Sequence, residues 1–197
     1  MKKISIKLLA FIFCFVSLIA CKKEYDNLGP LEDSLADIPV TVTNKEYFER
    51  YAIVTSKVTG TNTNNTTGTF SITFSIPADK GKIKEITKVG TGAGGLEYIQ
   101  NSGYPNYLTA PVQGNGTNEI TFTSDLNAIR RYNTQLSTYT ATLPSSATKT
   151  AAYVTPPGLT VGADPQVPTQ LRYFFLLTLE DGRTIIPAEV RVRLINP

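Results

Sequence analysis

Apolar residues alternate with Thr and Ser along much of the chain. Val40 and Val42 alternate with Thr41 and Thr43. Phe70, Ile72, Phe74 and Ile76 alternate with Ser71, Thr73 and Ser75, and Ile120 and Phe122 with Thr121 and Thr123. Val190, Val192 and Leu194 alternate with Arg191 and Arg193. A period of two puts each apolar set on one face of a strand. Tyr139, Ala141 and Leu143 alternate with Thr138, Thr140 and Thr142 and predict a strand there too. Residues 51–58 and 82–89 also read as strands, the second with a broken alternation that marks a bulge. Residues 173–179 are apolar on both faces, so a central strand with its second face covered is expected.

The connections agree. Asp181-Gly182 lies between two of these runs and predicts a hairpin with a type I′ turn. Gln113-Gly114-Asn115-Gly116 separates strands expected at 108–112 and 120–123, and residues 60–68 predict a polar loop or a long hairpin tip. Residues 76–81 predict a tight turn. The proline-rich stretch 152–168 predicts an irregular excursion, and Pro187 an edge or a bulge. One segment competes for helix. Ser124 is a good N-cap, and Leu126, Ile129, Tyr132 or Asn133, and Leu136 fall near a 3.6-residue period, so a short helix is expected over 125–136.

Eight or nine short strands with turn signals between them argue for a β-sandwich. The runs 70–89 and 172–195, with the Thr-Leu-Glu-Asp-Gly-Arg-Thr hairpin, resemble immunoglobulin-like or fibronectin-like domains. The expected fold is therefore all-β, an immunoglobulin-like β-sandwich of about eight or nine strands with one short connecting helix.

The N-terminus is a different kind of segment. Lys2, Lys3 and Lys7 precede an uncharged apolar run from Leu8 to Ala20. A basic start and an apolar run of this length describe a secretory signal peptide, and the run is too short for a spanning helix. Leu18-Ile19-Ala20-Cys21 matches the bacterial lipobox, in which the chain is cut before a cysteine that is then acylated. The expected organisation is a signal peptide over 1–20, lipidated Cys21 with a tether to 38, and one domain over 39–197. Three acyl chains would anchor the protein to a membrane effectively permanently.

The tether's opening, Lys22-Lys23-Glu24-Tyr25-Asp26, is similar to the segment that follows the lipidated cysteine in surface lipoproteins of the Bacteroidota. The resemblance implies an outer-membrane, cell-surface location. Asp33-Ser34-Leu35 resembles the site at which that phylum O-glycosylates exported proteins, which implicates Ser34.

Cleavage changes the charge. The chain holds 19 Lys and Arg against 16 Asp and Glu, and the signal removes three lysines and no acid. The mature chain is formally neutral, so bulk charge offers nothing to nucleic acid. Cys14 leaves with the signal and Cys21 carries lipid, so the domain has neither a free thiol nor a disulfide.

Composition narrows the chemistry. Hydrophobic residues make up 41% and charged residues 18%, in keeping with a folded domain rather than disorder. There is no His, which excludes Ser-His-Asp and Cys-His catalysis and His-ligated metal. Gly90-Thr91-Gly92-Ala93-Gly94-Gly95 satisfies the dinucleotide pattern, but Gly103 and Pro105 leave at most two turns of helix after it and no βαβ unit exists. No nucleotide and no cofactor is expected. Asp-x-Asp spacing for calcium is absent, and the neighbouring acids Glu32-Asp33 and Glu180-Asp181 fall in a tether and a turn. Arg130-Arg131 fall on an exposed helix face and the Asn64, Asn65 and Asn115 sequons in loops.

The loop 94–111 holds Tyr98, Tyr104 and Tyr107 beside Asn101 and Asn106. Aromatic faces with amide neighbours suit a glycan or a protein contact, and these five residues are the candidate ligand contacts. The competing account is that the tyrosines pack the loop onto the domain. The expected function is a non-enzymatic binding or accessory subunit of a cell-surface complex, in nutrient (glycan) uptake by the lipoprotein resemblance. The alternative is a fimbrial or adhesive subunit that polymerises by strand donation, with residues 40–43 as the removable strand. A carboxylate-dependent glycosidase ranks last.

Overall fold

The chain forms ten strands among the described residues, the Thr/Ser–apolar alternation being clearest in the fourth and seventh: β1 (Thr41–Val42), β2 (Tyr47–Phe48), β3 (Ala52–Lys57), β4 (Thr69–Ser75), β5 (Ile83–Thr91), β6 (Val112–Gln113), β7 (Glu119–Asp125), β8 (Gln170–Leu179), β9 (Thr184–Ile185) and β10 (Val190–Ile195). Two α-helices join them there, α1 (Gly95–Gln100) and α2 (Leu126–Thr142), with a 3₁₀ turn at Ala78–Lys80. The computed structural model describes residues 37–62, 64–143 and 158–197, and Ile38–Pro197 is one compact unit. The signal segment, Cys21, Ser34 with the tether to residue 36, and residues 152–157 of the proline-rich stretch lie outside the described residues.

β1, β4 and β7 form a three-stranded antiparallel sheet. The larger sheet has the order β2-β3-β10-β8-β5-β6, with β9 also on β8. Its pairs are antiparallel except β3 with β10, which run parallel with Val190 opposite Ala52. The register of β5 against β8 shifts after Ile83 and again after Ile86, where the broken alternation marks a bulge. The sheets meet in an aromatic core. The Phe74 ring lies 4.7 Å from Phe175, edge to face, and Phe70 lies 5.2 Å from Tyr173. Each such ring taken fully out of water contributes roughly 1.5–3 kcal/mol.

The expectation of an all-β, immunoglobulin-like sandwich is corrected. The described residues form a mixed α/β unit, with two sheets and two helices packed on them. Residues 138–143, expected as a strand, lie in the last turns and C-cap of the 17-residue α2. Leu126, Ile129, Tyr132, Leu136 and Thr140 are the buried positions, and their three- and four-residue spacing belongs to a helix. The threonines adapt. Thr134 and Thr138 donate their hydroxyls to carbonyls four residues back, and Thr140 and Thr142 to carbonyls three back, which satisfies them inside a helix. The N-cap is Asp125, whose Oδ1 accepts from Ala128 N at 2.8 Å, not Ser124, whose Oγ pairs with the Tyr107 hydroxyl at 2.6 Å.

Two further corrections are local. The strand expected at 108–112 shrinks to β6. In the 180–183 hairpin only Gly182 has positive φ, +88°, so a type I′ turn, which needs two such residues, is excluded. Gly182 N donates to Leu179 O at 3.0 Å and Leu179 N to Arg183 O at 2.9 Å, a three-residue loop with a glycine bulge.

α1 covers the outer face of β5 and β8, and so the second face of the apolar strand. A Cβ on Gly90 would stand 2.6 Å from Gly95 O, and one on Gly95 2.3 Å from the Phe174 ring. Those two glycines let the helix lie directly on the sheet, burying Phe174.

Candidate interaction surface

The structure draws four of the five candidate contacts of loop 94–111 into the fold itself. Tyr98 and Tyr107 are 1% and 3% exposed. Tyr107 packs edge-on to Tyr132 at 5.3 Å and to Tyr173 at 5.8 Å. Burial pushes its hydroxyl pKa up, the Ser124 bond opposing, and burial raises those of Tyr132 and Tyr173 as well. Tyr104 is half-buried between Tyr98 and Tyr139, with its hydroxyl on Glu97 at 3.0 Å.

The two asparagines fasten the loop. Asn106 Oδ1 accepts from Val89 N and Leu108 N, and its Nδ2 donates to Thr87 O, so its amide stands in for a strand beside β5. Asn101 Oδ1 accepts from Gly103 N, and its carbonyl accepts from Lys88 Nζ at 2.6 Å. Of the five, Asn101 alone is exposed. Arg130, expected on a solvated face, clips α2 to the 60–68 loop through Thr66 O at 2.6 Å and bonds Asn127 Oδ1 at 2.7 Å.

The open surface lies elsewhere, on the exposed residues 43–50 around β2, beside the partly buried β3 and β10. Alternation turns Arg191 and Arg193 to the outer face of the large sheet, and Arg172 of β8 stands opposite Arg191 in the register. Glu189 holds this row. Its side chain is 4% exposed, yet its Oε1 accepts from Arg172 Nε at 2.9 Å and Arg191 Nε at 2.8 Å, and its Oε2 from Arg172 at 2.6 Å. Burial raises the pKa of this carboxyl, and the two guanidinium groups more than offset that and hold it below its ordinary value.

Aromatic rings take up the remaining faces of these cations. Arg191 stacks over Tyr51 at 4.4 Å, Arg50 over the same ring at 5.5 Å, and Arg193 over Tyr47 at 4.9 Å. Arg193 also bonds Glu49 at 2.6 Å. Arg50 has no ion-pair partner among the described residues. Beside it Phe48 is 69% exposed, at the mouth of a groove of about 190 Å³ walled by Val40, Val42, Tyr51, Ala52 and Pro187.

Two polar hollows of about 450 and 430 Å³ flank the three-stranded sheet, lined mainly by Thr, Ser and Asn side chains. The acids Glu180-Asp181 sit in the exposed hairpin, where bonds from the Arg183 backbone N–H and guanidinium hold Asp181 below its ordinary pKa. Among the described residues no three His, Cys, Asp or Glu side chains gather as a metal site, and no helix is long and apolar enough to cross a membrane.

The Arg–aromatic row is not legible in the sequence because its members come from three separated segments. The chain matches no known protein family, no curated protein and no solved structure.

Proposed function

We propose that the chain is the precursor of a non-enzymatic lipoprotein, held at the outer membrane through lipid on Cys21, and that its Ile38–Pro197 unit serves as a binding or accessory subunit of a cell-surface complex. One observation carries this reading: Leu18-Ile19-Ala20-Cys21 directly after a basic, then apolar, N-terminal segment. The surface built by Tyr47, Phe48, Arg50 and Tyr51 supports it, because an exposed aromatic edge beside a cation suits a docking surface better than a catalytic cleft. Nutrient uptake is the setting that the lipoprotein resemblance implies. Detergent-phase partitioning tests the anchor: the wild-type chain enters the detergent phase and Cys21→Ser stays in the aqueous phase. Equal partitioning of the two refutes it.

A second reading, a fimbrial or adhesive subunit that polymerises by strand donation once an N-terminal strand is removed, draws on β1. That strand pairs only two residues with β4, at a sheet edge. Proteolytic removal of residues through 43 should then give ordered oligomers by size-exclusion chromatography, and a chain that stays monomeric dismisses it.

A further inference from the structure

The groove beneath Phe48 lies where the chain enters its folded unit. Ile38 is buried in the core, and Val40, two residues on, lines the groove. Sixteen residues separate Cys21 from Ile38, and a chain of that length reaches at most roughly 60 Å. That reach is longer than a domain of this size is wide, so this edge can touch the bilayer when Cys21 is acylated.

The chemistry of the edge points the same way. Tyr47 and Tyr51 already carry guanidinium groups on their rings, which leaves them poorly placed to stack a sugar. Phe48 carries no polar atom, is the most exposed aromatic among the described residues, and has Lys45 and Arg50 beside it. An apolar ring flanked by cations suits the boundary between lipid headgroups and acyl chains, where the ring leaves water and the cations meet phosphates. Arg193 takes up Glu49, and Arg172 and Arg191 take up Glu189. That leaves Lys45 and Arg50 with Glu46 as the remaining acid in their segment, a local positive excess on a mature chain that is neutral as a whole.

We propose that the Phe48–Arg50 edge is a membrane-docking surface for anionic lipid headgroups. Phe48 enters the headgroup region and Arg50 pairs with lipid phosphate. This rests on the reading of Cys21 as the anchor.

The test uses the mature chain, residues 21–197, with Cys21→Ser, so that no acyl chain contributes. It should co-sediment with vesicles containing phosphatidylglycerol and not with phosphatidylcholine alone, and lose binding as salt rises. Free inorganic phosphate at the same phosphate concentration should not compete. Phe48→Ser with Arg50→Glu should weaken vesicle binding at least about tenfold and leave the melting temperature unchanged, since both side chains are exposed. Equal sedimentation with the two vesicle types, or equal binding by the double variant, overturns the proposal. So does competition by free phosphate, or binding to a soluble acidic polysaccharide without binding to vesicles. Detergent partitioning of the acylated wild type reads the anchor separately, so loss of the anchor and loss of the docking surface give different results.

Discussion

Arg172 and Arg191 stand directly opposite each other in the β8–β10 register, and the carboxylate of Glu189 bonds both. Two cations facing each other across adjacent strands repel. The buried carboxylate between them turns that repulsion into a fixed pair of guanidiniums on the outer face of the sheet, and the Tyr51 ring then supports Arg191.

Glu189→Gln should therefore destabilise the domain by about 1–3 kcal/mol, read from the urea midpoint, because it leaves two partly buried arginines without their shared counter-charge. The pH dependence has a definite sign. The folded carboxyl sits below its unfolded value, so the unfolded chain binds the extra proton between the two values. The stabilisation is present above the ordinary carboxylate range and is lost as pH falls through the lower, folded value. Wild type should lose stability through that acid window faster than Glu189→Gln, and parallel curves would refute the coupling.

Two core tyrosines should respond in opposite directions when the hydroxyl alone is removed. Tyr132 buries a hydroxyl that has no hydrogen-bond partner among the described residues, whereas the Tyr107 hydroxyl bonds Ser124. Tyr132→Phe should be neutral or stabilise by about 1 kcal/mol, and Tyr107→Phe should cost about 1 kcal/mol. Chemical denaturation of the two variants decides this, and a loss of stability at 132 would mean that a buried water serves that hydroxyl.

Gly182 and Gly95 are needed for different reasons. Gly182 has positive φ and, among the described residues, nothing near its missing Cβ, so Gly182→Ala costs only backbone strain, about 1 kcal/mol. Gly95 lies against the Phe174 ring, so Gly95→Ala forces α1 off the sheet at about 1–3 kcal/mol. Thermal melts should rank Gly95→Ala as the worse of the two, and Phe174→Leu should relieve it and leave Gly182→Ala unaffected.

Asp125→Ala should cost about 1 kcal/mol by removing the cap of α2, while Ser124→Ala should act through the lost Tyr107 bond instead. Helical circular dichroism should fall in the first variant and not in the second.

Local pattern determined most of the strands. The alternating sets Phe70, Ile72, Phe74, Ile76 and Val190, Val192, Leu194 are buried as the sequence predicts. A period of two leaves one apolar face on an extended chain, and a sheet packed on that face is what takes it out of water. The position of the Asp-Gly hairpin and the bulged β5 are legible for the same local reason.

What tertiary structure alone decided is which of two local patterns prevailed and which tyrosines stayed in water. Residues 138–143 fit a strand by alternation, but the core offers Leu136 and Thr140 a helical seat, and threonine hydroxyls that bond back to the helix remove the penalty for being there. Tyr98 and Tyr107 read as a ligand platform because loop aromatics and amides are close in sequence. Tyr107 is buried because α2 and β8, distant in sequence, bring Tyr132 and Tyr173 against it, and Tyr98 because α1 seats it in the same core. The Arg–aromatic row has a similar origin. Residues 47–51, 172 and 189–193 share no local pattern, and only the parallel pairing of β3 with β10 and the antiparallel pairing of β10 with β8 set them side by side.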